Sequence, residues 1–305
     1  MGSLMGMIWM LIIIIVMFLV YVGIGTYAAL TLTKVGEHPQ YDSDPGTYGL
    51  LFEEVCFMSR VDNLNISGWY IPKQRAQRAM ILVHGRDASK QNAISGQFPK
   101  LAAELHHQGM AVLMIDLRGH GESDGKRYTF GVQERWDVLG AVDHLLARGF
   151  QPGQIGVLGI SLGGAAVIGA AVQDTAIGAV VVESTFADIN TLIKPNWKSE
   201  SGLPMIFLPG VFLMWRFLLG FDLRAVKPVE YLVGMSPRSI LILHSQADEV
   251  VDVSHAHALK AAVPEAELVV FENCSHAELF RDQPVEYLLA LDAFLQKQWL
   301  VDDAA

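Results

Sequence analysis

Short apolar runs alternate with helical stretches along most of the chain, and this alternation limits the possible folds more than any other feature. Residues 80–84 (MILVH) and 155–160 (IGVLGI) are two such runs, and both are almost wholly apolar. Between the runs, apolar residues recur at helical spacing, as in residues 132–148. Uninterrupted apolar strands are buried on both faces, so the pattern predicts an α/β fold with a mostly parallel sheet and helices on both faces.

The predicted sheet begins with two strands, residues 50–58 and 66–71, which we expect to pair antiparallel. The remaining predicted strands are residues 80–84, 111–116, 155–160, 177–183, 240–244 and 267–272. Open sheets of this kind hold their ligands at the carboxyl ends of the strands. The residues that directly follow these strands are therefore the candidates for chemistry.

The strongest motif is the G-x-S-x-G sequence around Ser161, which lies where a predicted strand ends and a helix rich in Gly and Ala begins. This strand–turn–helix context is typical of a nucleophile elbow. The turn strains the serine backbone, and Gly159 and Gly163 supply the small residues needed on either side. N–H groups at the start of the helix suit an oxyanion. A glycine-rich turn without chemistry is the alternative interpretation.

A serine hydroxyl needs a base, and elbow enzymes place the acid and then the histidine after the serine. Asp248 lies just past the ILILH strand, and His276 lies just past the last strand. We therefore expect both to converge on Ser161, with His276 as the base and Asp248 orienting its ring. Asp252 is the rival acid, although its position also suits the cap of a helix beginning near Val253.

The oxyanion requires two backbone donors. The N–H of Leu162 is one, because this residue follows the nucleophile. The loop after the MILVH strand supplies the other: Gly85 permits a close backbone approach, which makes the N–H of Arg86 the predicted donor. The Arg86 side chain is also a candidate partner for an acidic substrate group.

These features together resemble the α/β-hydrolase family, in its serine-hydrolase branch near the serine aminopeptidase and prolyl-oligopeptidase-like proteins. The resemblance spans about residues 50–300 and rests on five sites, which are LVHG at 82–85, DLRGHGES at 116–123, GISLGG at 159–164 and the loops of Asp248 and His276. It implies the α/β-hydrolase fold, an acyl-enzyme mechanism, and no cofactor or metal. In this branch the DLRGHGES segment shapes the site, so we expect Asp116, Arg118 and His120 to be structural.

The N-terminal residues 1–33 contain no charged residue and no histidine, and residues 4–24 are almost wholly aliphatic or aromatic. About 20 helical residues cross a bilayer core of about 30 Å, so this segment predicts a single transmembrane anchor. A cleaved signal peptide usually has a basic start and a shorter apolar core, and a buried core helix is the third possibility. Lys34 follows the segment and favours a cytoplasmic catalytic domain, although one basic residue leaves the orientation open.

The sequence divides into an anchor (1–33), a polar linker (34–49), an α/β-hydrolase domain (50–300) and a tail (301–305). Within the hydrolase domain, residues from about 186 to 236 exceed what a simple crossover needs, which predicts an inserted helical lid. Residues 203–219 of this insertion are apolar nearly all round. They either pack on the core or supply an acyl pocket or a bilayer contact through Phe212, Trp215 and Leu219.

Composition narrows the function further. A formal net charge of −10 disfavours binding to nucleic acid, which needs clustered Lys and Arg. Two cysteines exclude a disulfide-rich scaffold. We interpret the chain as a membrane-anchored serine hydrolase that cleaves ester, thioester or small amide bonds in a small or lipid-like acyl substrate. A serine peptidase of aminopeptidase type and a non-catalytic binding protein on the same fold are the alternatives.

Overall fold

The computed structural model describes residues 2–36, 41–235 and 240–300. Part of the predicted linker and the whole predicted tail (301–305) lie outside these residues. The chain divides into two compact units. The smaller draws on residues up to Lys34 and on Ile189–Ala225, and the larger draws on Val35–Asp188 and on the chain from Val226 onward.

The larger unit contains, over the described residues, an eight-stranded sheet with the strand order β1-β2-β4-β3-β5-β6-β7-β8. The strands are β1 (Glu53–Met58), β2 (Asn65–Ile71), β3 (Ala79–Val83), β4 (Ala111–Ile115), β5 (Ile155–Ile160), β6 (Ile177–Glu183), β7 (Ile240–Ser245) and β8 (Glu267–Phe271). β2 pairs antiparallel with β1 and β4, and the remaining neighbours are parallel. The predicted α/β fold and its antiparallel opening pair are therefore confirmed.

The described part of the chain also forms α-helices, which precede, connect and follow the strands. They are α1 (Gly2–Leu32), α2 (Phe98–His107), α3 (Glu134–Ala147), α4 (Leu162–Ala171), α5 (Ile189–Ser201), α6 (Leu208–Leu219), α7 (Pro228–Leu232), α8 (Ser254–Ala262), α9 (Leu279–Asp282) and α10 (Pro284–Leu300). Short 3₁₀ turns occur at Pro45–Tyr48, Met205–Phe207 and Leu223–Ala225.

Both faces of the sheet are buried, as the apolar strands require. Met80 and Leu82 of β3 belong to a core cluster that also contains Phe98 of α2 and Leu291 of α10. Successive side chains of a strand point to opposite faces, so Ile81 faces the other side, where α3 and α4 contact β3. Ile81 is fully buried as well. The helices therefore cover both faces and leave the strand ends as the places where polar side chains gather.

The smaller unit is helical. It joins α1 to the insertion between β6 and β7, which contains α5 and α6. The ring of Tyr21 in α1 stacks on Phe207 with 5.4 Å between ring centroids, and the Trp215 indole N–H donates to the carbonyl oxygen of Ala29 at 3.0 Å. By length and composition, α1 is sufficient to cross a bilayer.

Candidate active site

The turn between β5 and α4 holds Ser161 with φ 53° and ψ −112°. This backbone conformation is strained for a residue with a side chain. Its glycine neighbours are needed for steric reasons. A Cβ on Gly163 would lie 2.4 Å from the carbonyl oxygen of His84, and a Cβ on Gly159 would lie 2.4 Å from that of Gly163. The spacing of the motif therefore reflects how closely β3, β5 and α4 approach one another at this point.

Three side chains from three separate loops meet at the turn. The Nε2 atom of His276 lies 3.0 Å from the Oγ atom of Ser161. On the other side of the ring, Nδ1 of His276 lies 2.8 Å from Oδ2 and 3.0 Å from Oδ1 of Asp248. The Asp248 side chain is fully buried, whereas that of His276 remains 16% exposed. The structure thus brings the three predicted residues into one hydrogen-bonded chain.

The surroundings of Asp248 favour its charged form. Burial alone would raise the pKa of this carboxyl, but the hydrogen bond with His276 and backbone N–H groups outweigh it and hold the pKa below its ordinary value. The N–H groups of Val250 and Val251 donate to Oδ1 at 2.9 and 2.8 Å. The site therefore contains a fixed negative charge beside the Nδ1 atom of His276.

Glu183 was not among the predicted site residues, but it ties the turn of Ser161 to the loop of His276. Its backbone carbonyl accepts from the Ser161 N–H at 2.8 Å. Its buried carboxyl accepts from the Leu279 N–H at 3.2 Å and from the Tyr287 hydroxyl at 2.9 Å. Burial raises the pKa of Glu183 to about 7. Its position as the last residue of β6 was the available signal in the sequence.

His244 is a second residue that the sequence analysis missed. Its Nε2 atom lies 2.7 Å from the carbonyl oxygen of Val251 and 3.6 Å from Oδ2 of Asp248. Burial lowers the pKa of His244, so this imidazole is neutral beside the carboxylate at neutral pH. The contact with Val251 attaches the end of β7 to the loop that carries Asp248.

The predicted oxyanion donors lie on two segments that touch. Leu162 is the first residue of α4, and N–H groups of a first helical turn have no partner within the helix. The loop after β3 lies against the same turn, because a Cβ on Gly85 would be 3.3 Å from the Cβ of Ser161. Arg86 follows Gly85, and its Nε atom lies 3.5 Å from the carboxylate of Asp87. Donation by the two N–H groups to an oxyanion stays a prediction.

The DLRGHGES segment is held by internal contacts. Asp116 pairs with the buried Lys90 ammonium at 2.6 Å, and Arg118 pairs with Asp137 at 2.6 Å. The Nε2 atom of His120 accepts from the Asp87 N–H at 3.1 Å, which fixes the ring against the loop after β3. These contacts agree with a structural role for the segment.

The predicted pocket residues lie in the smaller unit. Phe212 and Trp215 are buried there and meet edge to face at 5.6 Å, while Leu219 is half-buried. Their assignment to an acyl pocket stays a prediction. Within the described ranges, no cluster of His, Cys, Asp or Glu has the arrangement of a metal site.

The parallel sheet and the strained serine turn are typical of hydrolases with an α/β fold. The hydrogen bonds from Ser161 to His276 and from His276 to Asp248 are typical of them as well. The chain belongs to the alpha/beta hydrolase family, whose model matches residues 80–291. This match leaves α1 outside the region that defines the family.

Known proteins resemble this chain in sequence or in fold. The uncharacterized protein YfhR of Escherichia coli K12 is 26% identical over 256 residues, which cover 78% of this chain and 81% of that protein. The thiohydrolase aneE of Aspergillus aculeatus is 30% identical over 155 residues, or 48% of this chain and 46% of that enzyme. The Pyrococcus furiosus esterase Pf2001 shares the fold, with a TM-score of 0.70 and 22% identity over 87% of this chain and 99% of that one.

Proposed function

We propose that this protein is a membrane-anchored serine hydrolase that cleaves carboxylic ester, thioester or small amide bonds. The observation that carries the proposal is the position of the His276 ring, which lies 3.0 Å from the Ser161 hydroxyl and 2.8 Å from the Asp248 carboxylate. A hydroxyl, an imidazole and a buried carboxylate in this order form the proton-transfer chain that activates a serine nucleophile. A binding protein on the same fold would not require this alignment.

In the proposed mechanism, Oγ of Ser161 attacks the substrate carbonyl while Nε2 of His276 accepts the hydroxyl proton. The Asp248 carboxylate accepts a hydrogen bond from the Nδ1–H group of His276 and stabilises the imidazolium that forms. The N–H groups of Leu162 and Arg86 donate to the oxyanion of the tetrahedral intermediate. His276 then passes its proton to the leaving group, which leaves an acyl-enzyme, and a water molecule activated by the same imidazole hydrolyses it.

Ester and thioester substrates are favoured over peptides. An aminopeptidase needs an acidic side chain to hold the substrate amine, and the sequence offers Glu183, Asp188 and Glu249. The Glu183 carboxyl is fully buried and bound to Leu279 and Tyr287, so only Asp188 and Glu249 remain as candidates for this role. The relatedness to a thiohydrolase and the shared fold of an esterase point the same way. Aminopeptidase activity remains the second candidate.

The membrane anchor in this proposal is α1. Residues 4–20 are exposed around the whole helix and carry no charge. A surface of this kind is stable in hydrocarbon and costly in water.

A fluorophosphonate probe tests the nucleophile directly, because it labels activated serines. The natural protein should be labelled and should hydrolyse p-nitrophenyl esters, and Ser161→Ala should lose both properties. Ser199→Ala changes an exposed serine of α5 and is the matched control, which should keep both. Labelling that persists in Ser161→Ala would refute the assignment. A panel of acyl esters of rising chain length beside aminoacyl anilides then separates esterase from aminopeptidase activity.

A further inference from the structure

The insertion packs against the N-terminal helix α1 in the smaller unit. We call this contact, from Tyr21 and Gly210 to Ala29 and Trp215, the seam. The Tyr21 hydroxyl donates to the carbonyl oxygen of Ile206 at 2.9 Å and accepts from the N–H of Gly210 at 3.1 Å. The Trp215 indole, five residues past Gly210 on α6, donates to the carbonyl oxygen of Ala29, eight residues past Tyr21 on α1. The contacts advance in the same direction on both helices, so α6 runs alongside the C-terminal part of α1, with its preceding 3₁₀ turn at the level of Tyr21.

The seam depends on a close approach at Gly210. A Cβ at this position would lie 2.7 Å from the ring of Tyr21, so a larger residue would separate the helices. The two hydrogen bonds of the Tyr21 hydroxyl add a directional contact at the same point. The level of the 3₁₀ turn along α1 is therefore fixed.

The length of α1 places this level inside a bilayer. The uncovered residues 4–20 span about 25 Å at about 1.5 Å per residue, which is less than a hydrocarbon core of about 30 Å. A span of about 20 residues that begins at Leu4 ends at Gly23, and one that begins at Gly2 ends at Tyr21. In either case the hydrocarbon reaches the level of Tyr21, where α6 and its 3₁₀ turn begin to cover the helix.

The insertion presents apolar side chains outward at and beyond that level. Ile206 is 71% exposed and Phe217 is 75% exposed, and Met205, Leu213 and Leu218 are exposed as well. Leu213 and Phe217 are four residues apart on α6, which places them on one face of that helix, and Ile206 lies in the 3₁₀ turn before it. The smaller unit therefore exposes apolar side chains on the insertion as well as on residues 4–20 of α1.

The charges of the insertion suit the surface of an anionic bilayer. Residues 189–225 carry four basic and two acidic side chains, a net charge of +2 in a chain whose net charge is −10. Arg216 lies on α6, about 15 Å along the helix from Ile206 at about 1.5 Å per residue. A side chain at this height reaches lipid phosphates from the edge of the hydrocarbon.

We propose that the segment 205–219 is a second membrane-contacting element, which inserts Met205 and Ile206 into the hydrocarbon of the leaflet where α1 emerges and directs Arg216 toward anionic headgroups. The partner is the lipid bilayer. The proposal rests on the membrane anchor proposed above, and it makes the insertion part of the membrane-bound structure.

Spin labels on the full-length protein in vesicles of phosphatidylcholine and phosphatidylglycerol test this placement. The label is attached at Ile206→Cys, with the exposed native Cys56 replaced by Ser. Phe18→Cys reports on the anchor, and Val285→Cys, which is 69% exposed in the larger unit, is the matched control. Collisions with oxygen, which concentrates in lipid, are compared with collisions with a water-soluble nickel chelate.

Labels at 206 and 18 should both show a ratio of oxygen to nickel collisions several-fold higher than the label at 285. A lipid signal at 18 with a water signal at 206 would overturn the proposal while the anchor stands. A water signal at 18 would instead refute the anchor, and the present proposal with it. Protection of 206 from both reagents would show that protein, such as a second copy of the chain, covers this face, and this result also overturns lipid contact.

Discussion

The buried carboxylate of Asp248 gives a sharp test of the site at the scale of single residues. Asp248→Asn keeps the size of the side chain but loses the charge that, in the proposed mechanism, orients His276 and stabilises the imidazolium. We expect kcat toward a p-nitrophenyl ester to fall by about 10⁴-fold, the magnitude that an aspartate-to-asparagine change has in serine proteases. Steady-state kinetics measure this loss, and circular dichroism checks that the variant is folded.

Asp252→Asn is the matched control for Asp248. The Asp252 carboxylate accepts from the Ser254 N–H at 2.9 Å just before α8, but the N-cap of that helix is Val253. Asparagine keeps a side-chain oxygen that can accept this bond, so activity should stay near that of the natural protein. Equal losses in the two variants would contradict the choice of Asp248 as the acid.

Glu183 predicts a dependence of stability on pH. Its pKa rises from the ordinary value of 4.5 to about 7 in the folded protein because the carboxyl is buried, so the folded state favours the protonated form. The resulting stabilisation is fully present below about pH 4.5 and is lost as the pH rises to about 7. At about 1.4 kcal/mol per pKa unit, the loss amounts to roughly 3 kcal/mol.

Glu183→Gln isolates this effect, because glutamine is neutral at every pH and still offers an acceptor to Leu279 or Tyr287. In urea unfolding of the full chain in nonionic detergent, the variant should gain stability relative to the natural protein between pH 5 and pH 8. A difference between the two proteins that stays constant across this range would show that Glu183 is ionised throughout.

The sequence indicates the three residues of the proposed triad, but it does not indicate the residues that hold them in place. The G-x-S-x-G motif indicates Ser161, and the order of acid and histidine along the chain indicates Asp248 and His276. Glu183 and His244 have no such pattern, since their roles depend on neighbours 104 and 7 residues away, Tyr287 and Val251. Such contacts follow from packing, which local sequence does not encode.

At the scale of elements, helix α4 offers two glycines with opposite expectations. Gly163→Ala would place a Cβ 2.4 Å from the carbonyl oxygen of His84, a backbone atom that cannot move without displacing β3 or the serine turn. We expect a loss of activity of at least tenfold and a lower melting temperature. A Cβ on Gly169 would contact only side-chain atoms of Arg135, at 3.2 Å or more. Gly169→Ala also replaces a residue of poor helix propensity with one of high propensity.

Gly169→Ala should therefore keep full activity and melt at the same temperature or higher. Esterase assays and thermal unfolding of both variants in detergent measure the contrast. If both substitutions were tolerated equally, the result would contradict the close contact between α4 and the end of β3.

The elements themselves follow from local pattern wherever the pattern is strong. The expected strand at residues 80–84 is β3 (Ala79–Val83), and the expected helix at 132–148 is α3 (Glu134–Ala147). The insertion was harder, because residues 203–219 are apolar on nearly every side and their partner cannot be read from them. The structure pairs Trp215 with Ala29, 186 residues earlier in the chain.

At the scale of the whole molecule, the sequence suggested an anchor, a linker and one hydrolase domain, whereas contacts group α1 with the insertion. The two descriptions differ because composition marks boundaries along the sequence, whereas compact units form from contacts between residues that are far apart in the sequence. The anchor and linker boundaries stay predictions, and they are testable through the behaviour of α1.

The full chain should remain in the membrane pellet after extraction with alkaline carbonate and enter solution only with detergent. The reason is that residues 4–20 expose an uncharged apolar surface around the entire helix. The paired change Ile13→Arg and Ile14→Arg puts two charges near the centre of the span, at about 2.5–3.5 kcal/mol each, and should shift the protein into the carbonate supernatant. Ile13→Leu with Ile14→Leu is the control and should leave it in the pellet.

Intact mass of the protein recovered from the membrane separates an anchor from a processed leader, because both begin as an apolar helix. An anchored chain retains α1, whereas a cleaved chain starts beyond it and is extracted by carbonate. Cleavage after Ala29 would refute the anchor and would also remove Tyr21 and Ala29, and with them their hydrogen bonds to the insertion. The apolar side chains of α6 that α1 buries would then face water. A stable cleaved protein would therefore need another protein or lipid surface to bury them.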